Sequence, residues 1–105
     1  MSTLSTHVLD AVRGAPAAGV TVTLYQRDRR LDSGETDADG RIGALGEALE
    51  PGTYRLVFDT GAYFAQREVE TFYPEVSIAF AVTEQRHYHV PLLLSPFAFS
   101  TYRGS

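Results

Sequence analysis

Val20-Thr21-Val22-Thr23-Leu24-Tyr25 alternates apolar and polar side chains without a break. A strand turns successive side chains to opposite faces, so Val20, Val22 and Leu24 share one face and the threonines the other, the pattern of a half-buried strand. Thr53 to Asp59 repeats it, with Tyr54, Leu56 and Phe58 alternating against Thr53, Arg55 and Val57, and Val76 to Val82 is rich in β-branched and aromatic residues. Turn signals separate these stretches: Arg13-Gly14 with Pro16, Asp39-Gly40, Pro51-Gly52 and Ser95-Pro96. The spacing predicts about seven or eight short strands. Gly61 to Val69 is the exception, where Ala62, Ala65 and the Gln66-Arg67-Glu68 run favour one short helix.

A chain of 105 residues is too short for two independent cores, so residues 1–105 are expected to form a single domain. With 44% apolar and 21% charged residues it is composed to fold rather than to stay disordered. The formal charge of −4 and the scattered basic residues exclude the electrostatic footprint of a nucleic-acid binder. No apolar run approaches the ~18 residues of a membrane span, and the N-terminal segment does not read as a signal peptide. Cysteine is absent, which removes thiol catalysis and cysteine-based zinc sites and points to a reducing cytoplasm.

The segment from His87 to Tyr102 differs in character. Val90-Pro91-Leu92-Leu93-Leu94 is continuously apolar, so a strand here carries hydrophobic residues on both faces, one of them free to meet another subunit. Pro91 cannot donate to a ladder, which predicts an edge strand or a bulge at that position. His87 and His89 stand two apart, on one face of that strand. Such a pair also occurs in metal sites, but only His7 or a distant acid could complete one. Asp37-Ala38-Asp39-Gly40 has the wrong acid spacing for a calcium loop and reads as a tight turn. Arg41 after it reads, taken alone, as a surface arginine, and the polar residues 100–105 as a frayed tail.

Ser5-Thr6-His7-Val8-Leu9-Asp10, Gly40-Arg41 and residues 87–105, HYHVPLLLSPFAFSTYRGS, together closely resemble the 5-hydroxyisourate hydrolases of the transthyretin-like family. The likeness runs essentially the whole chain. Its most specific part is the closing Tyr102-Arg103-Gly104-Ser105, which the related hormone carriers lack along with the histidine pattern. The resemblance implies an all-β, transthyretin-like two-sheet sandwich of about eight strands with one short helix. It also implies a homotetramer, a dimer of dimers with active sites at the dimer–dimer interface, acting on the small molecule 5-hydroxyisourate without metal or other cofactor. The family's catalytic positions fall on His7, Arg41 and His89, and its substrate-binding tail on Tyr102, Arg103, Gly104 and Ser105. His87 matches a less important position, and Phe99 stands where the family often has tyrosine.

Hydrolysis of a cyclic amide needs a base for water, a donor for the oxyanion and a proton for the departing nitrogen. His89 suits the base because a neighbouring cation, Arg41, keeps its ring neutral. The guanidinium fork of Arg41 suits the ureide and the developing negative charge, while His7 would orient water or substrate. The competing readings are a transthyretin-type carrier of a hydrophobic small molecule and a structural interaction domain.

Overall fold

The computed structural model describes residues 1–105. In chain order the elements are β1 (Thr3–Asp10), β2 (Ala15–Pro16), β3 (Thr21–Gln26), β4 (Arg29–Glu35), β5 (Arg41–Ile42), β6 (Gly52–Phe58), α1 (Thr60–Gln66), β7 (Val76–Val82), β8 (His87–Ser95) and β9 (Ala98–Thr101). Seven strands of four residues or more carry the sandwich, and β2 and β5 are two-residue additions to β1. One sheet runs β2-β1-β8-β9 with β5 also on β1, and the other runs β4-β3-β6-β7.

Alternation decides what lies between the sheets. Leu4, Val8, Val90, Leu92 and Leu94 from β1 and β8 are buried, as are Val22, Leu24, Leu56, Phe58 and Val76 from the facing sheet. These side chains form one hydrophobic core, the principal favourable contribution to a fold of this size. The odd-numbered residues of β1, Thr3, Ser5, His7 and Leu9, therefore point to the outer face.

The helix is two residues shorter than its sequence pattern. Asp59 caps it by accepting the Ala62 N–H, and Glu68 adopts φ 56°, so no helical turn continues past Arg67. Packing holds so short a helix: Tyr63 and Phe64 are buried, and the Tyr63 hydroxyl donates to Asp10 Oδ2 at 2.8 Å. The other oxygen of this buried carboxylate accepts the N–H groups of Val12 and Arg13. Burial foremost, and then the bond to Asp10, raises the Tyr63 pKa above its ordinary value, keeping it a donor.

The expectation for Pro91 needs correction. β8 is an interior strand, parallel to β1 in continuous register from Thr3↔His87 to Asp10↔Leu94, with β9 on its other side. No bulge occurs at Pro91. The sheet accommodates it through a gap: the β8–β9 ladder stops at Leu92↔Thr101 and resumes only as the single bridge His89↔Gly104. The Thr101 hydroxyl closes part of that gap by donating to the Pro91 carbonyl at 2.7 Å.

Candidate active site on the outer sheet face

Register assembles the site. His7 pairs with Arg41 across the β1–β5 ladder, Ser5 pairs with His89 across β1–β8, and His89 pairs in turn with Gly104. Direct neighbours across strands lie about 5 Å apart and diagonal ones about 7–8 Å, so His7, Arg41 and His89 occupy one small area of the outer face. They come from three separate strands, 34 and 48 residues apart in sequence.

Arg41 is held by its backbone and left free at its head. Asp37 Oδ1 accepts the N–H groups of Asp39 and Arg41, both at 2.9 Å, and Gly40 turns the chain at φ 76°. A side chain at residue 40 would place its Cβ 2.4 Å from the Val8 carbonyl oxygen, so this turn against β1 demands glycine. The only ion pair in the chain is Arg86–Glu84. The exposed Arg41 guanidinium therefore has no carboxylate partner and keeps its donors for a ligand.

His7 and His89 are each anchored through one nitrogen, and His87 through both. His7 Nε2 lies 3.0 Å from the Asp39 carbonyl oxygen; a carbonyl only accepts, so Nε2 carries the proton and Nδ1 of the neutral ring is left with its lone pair. His89 Nδ1 lies 2.7 Å from Ser5 Oγ. Ser5 is also 2.7 Å from Nε2 of His87, whose Nδ1 meets Thr3 Oγ1 at 2.6 Å. Although Ser5 faces outward it is only 9% exposed, because the two rings close over it.

The electrostatics of His89 follow from this crowding. Burial first, and then the charges of Arg41, His7 and His87, lower its pKa below the ordinary 6.5. The folded state favours the neutral ring, which is the form a base needs. The sign is that of a depressed group: protonation is resisted as pH falls through 6.5 and sets in only below it. The acid limb of kcat/KM is accordingly expected below pH 6.5, and a limb above that value in a pH–rate profile would show that His89 is not the titrating base.

The C-terminal residues divide. Gly104 is buried, donates its N–H to the His89 carbonyl at 2.9 Å and passes close beside that ring. A Cβ on residue 104 would stand 2.5 Å from His89 Cδ2, so Gly104→Ala is expected to push the imidazole aside and slow turnover about tenfold without unfolding the protein. Rate and Tm measured together test this, and an unchanged rate would contradict it. Tyr102 and Arg103 edge a cavity of about 300 Å³ that lies between Ile78 to Ala81 of β7 and Tyr88 to Val90 of β8, so that His89 also lines it, and Ser105 is exposed. No hydrogen bond joins the side chains of Tyr102, Arg103 or Ser105 to His7, Arg41 or His89. No three His, Asp or Glu side chains gather into a set able to hold a metal ion.

Sequence reasoning passed over Ser5 and Thr3, and gave His87 little weight. The signal was present as Thr3-x-Ser5-x-His7, three polar residues at a period of two in a strand whose alternate residues are apolar or buried. Which histidine meets which hydroxyl depends on the β1–β8 register and could not be read from it.

The architecture defines a transthyretin-type sandwich with a histidine–arginine cluster on the outer face of one sheet. Residues 4–104 match the model of the HIUase/Transthyretin family, and the chain belongs to that family. It is 49% identical to the 5-hydroxyisourate hydrolase of Salmonella typhimurium, an alignment spanning 97% of this chain and 80% of that protein. Among solved structures, the 5-hydroxyisourate hydrolase of Klebsiella pneumoniae superposes with a TM-score of 0.94 at 44% identity, covering 100% of this chain and 94% of the other. Sea bream transthyretin in complex with thyroxine gives 0.91 at 34% identity, over 96% and 93% of the two chains. Overall shape therefore does not separate hydrolase from carrier.

Proposed function

We infer that the chain hydrolyses 5-hydroxyisourate to 2-oxo-4-hydroxy-4-carboxy-5-ureidoimidazoline, a step of urate degradation. The relatives support the reaction. The observation that carries it to this chain is the convergence of two imidazoles, each pinned by one nitrogen, with an unpaired guanidinium.

His89 takes a proton from water at Nε2, and the water oxygen bonds the amide carbon. Arg41 faces the oxyanion, where several donors in a fixed fork stabilise charge that develops only in the transition state. His7 orients the water or the substrate through Nδ1. Tyr102, Arg103, Gly104 and Ser105 bind substrate beside this centre, with Gly104 fixing the plane of the His89 ring. No step calls on a metal or another cofactor.

In one subunit the outer face is open to water. We place the working protein as a homotetramer, a dimer of dimers, in which another copy covers it. Both β7 and β9 are edge strands with unpaired backbone groups, and Phe97, Phe99 and Tyr102 are exposed near β9, a combination that favours self-association. No helix of the chain is long and apolar enough to cross a membrane. We place the protein in the cytoplasm, the compartment that its cysteine-free composition fits, and treat residues 1–105 as one domain.

The test is to generate 5-hydroxyisourate from urate with uricase and follow its loss of absorbance. The protein is expected to speed that loss well beyond the spontaneous rate, whereas a carrier would leave it unchanged. Removal of residues 102–105 is expected to preserve the sandwich, since three of the four are exposed, and to cut turnover at least ~10-fold by freeing the His89 ring. Full turnover in the truncated protein would take the tail out of the site.

A further inference from the structure

Three short hydrogen bonds join Thr3, His87, Ser5 and His89 in line, at 2.6, 2.7 and 2.7 Å. The steps given above leave this line without a role. Its far end, Thr3 and His87, is exposed, while Ser5 is buried between the rings.

We propose that Ser5 and His87 extend His89 into a two-ring base, in which the proton drawn from water is held during the reaction as positive charge on the exposed His87. This rests on the hydrolase reading above. Before reaction, His87 Nδ1–H donates to Thr3 Oγ1, the Ser5 hydroxyl donates to His87 Nε2, and His89 Nδ1–H donates to Ser5 Oγ. That direction leaves the lone pair of His89 Nε2 for the water. As Nε2 takes the proton, the Nδ1 proton passes to Ser5 Oγ and the Ser5 hydroxyl proton passes to His87 Nε2. Ser5 gains one proton and loses one, His89 ends neutral, and His87 becomes the imidazolium. When the ring C–N bond breaks, His89 Nε2–H protonates the departing nitrogen, the two shifts reverse, and the starting tautomers return. The new carboxylic acid ionises to solvent.

Charge separation is the reason for the device. An imidazolium at His89 would sit beside Arg41 and His7 in a partly desolvated place. His87 pairs with Thr3, two residues further along the sheet and roughly 6–7 Å from that level, where water solvates the cation. Ser5 and His87 thus act through His89 and touch no substrate.

The experiment compares His87→Ala, Ser5→Ala and Ser5→Thr with the wild type. At pH 7, His87→Ala is expected to lower kcat at least ~10-fold with KM little changed, and added imidazole, entering the exposed gap beside Ser5, to restore most of it. Ser5→Ala falls as far without rescue by imidazole, because the missing link is internal, and Ser5→Thr keeps most activity. Nitrogen-15 NMR of the histidine rings supplies a readout independent of turnover. In the wild type the two rings take up one proton as a linked pair, and in Ser5→Ala the linkage is lost. A wild-type rate in His87→Ala, or rings that titrate independently in the wild type, overturns the proposal. A wild-type protein that does not speed hydrolysis defeats the hydrolase reading instead, and the linkage seen by NMR still decides the relay.

Discussion

His89→Ala is expected to reduce turnover about 10²- to 10⁴-fold, the range that a positioned general base supplies. The effect belongs to chemistry and not to folding. The backbone of residue 89 still receives the Gly104 N–H and still pairs with β1, and the side chain lies on the outer face away from the core. Ser5 loses one partner but keeps His87, so the stability cost is about 1 kcal/mol. Absorbance assays with uricase-generated substrate measure the rate, and thermal unfolding measures the rest. A rate within about threefold of wild type would remove His89 from the mechanism.

Arg41→Ala is expected to cost about 10²- to 10³-fold, as the loss of an oxyanion donor does. It also has a second signature that a merely structural arginine would lack. Arg41 is the strongest of the charges depressing His89, so its removal moves the acid limb of kcat/KM upward, toward 6.5. Arg41→Lys retains the charge but not the planar fork, and is expected to hold the limb near its wild-type position while recovering only part of the rate. A rate loss with an unmoved limb in Arg41→Ala would show that the guanidinium binds substrate without tuning the base.

Strands announced by alternation were legible because one face of each is buried: β7 occupies Val76–Val82 as its composition indicated, and β3 and β6 lie within one residue of their patterns. The end of β6 was misjudged at Asp59, whose carboxylate caps the helix and does not extend the strand. The interior position of β8 was hidden, since a proline in an apolar run argues for an edge unless the ladder beside it has a gap. At the site, the residue types were legible and their grouping came only from the resemblance. His7, Arg41 and His89 have no sequence proximity, and the pairings that join them are long-range. The need for glycine at 104 was equally invisible. It arises from the closeness of an imidazole and not from a turn, and close approach leaves no local pattern.

The parallel pairing of β1 with β8 joins residues 84 positions apart. Chain closure over such a distance is slow compared with the hairpin contacts of β3 with β4, so the hairpins form first and wait for it. During synthesis β1 gains only its short antiparallel partners β2 and β5 on one edge, and its other edge stays unpaired until β8 emerges. Because that closing event also brings His7 and Ser5 to His89, nascent polypeptide is expected to lack activity: competence arrives in one stroke, when β1 and β8 meet.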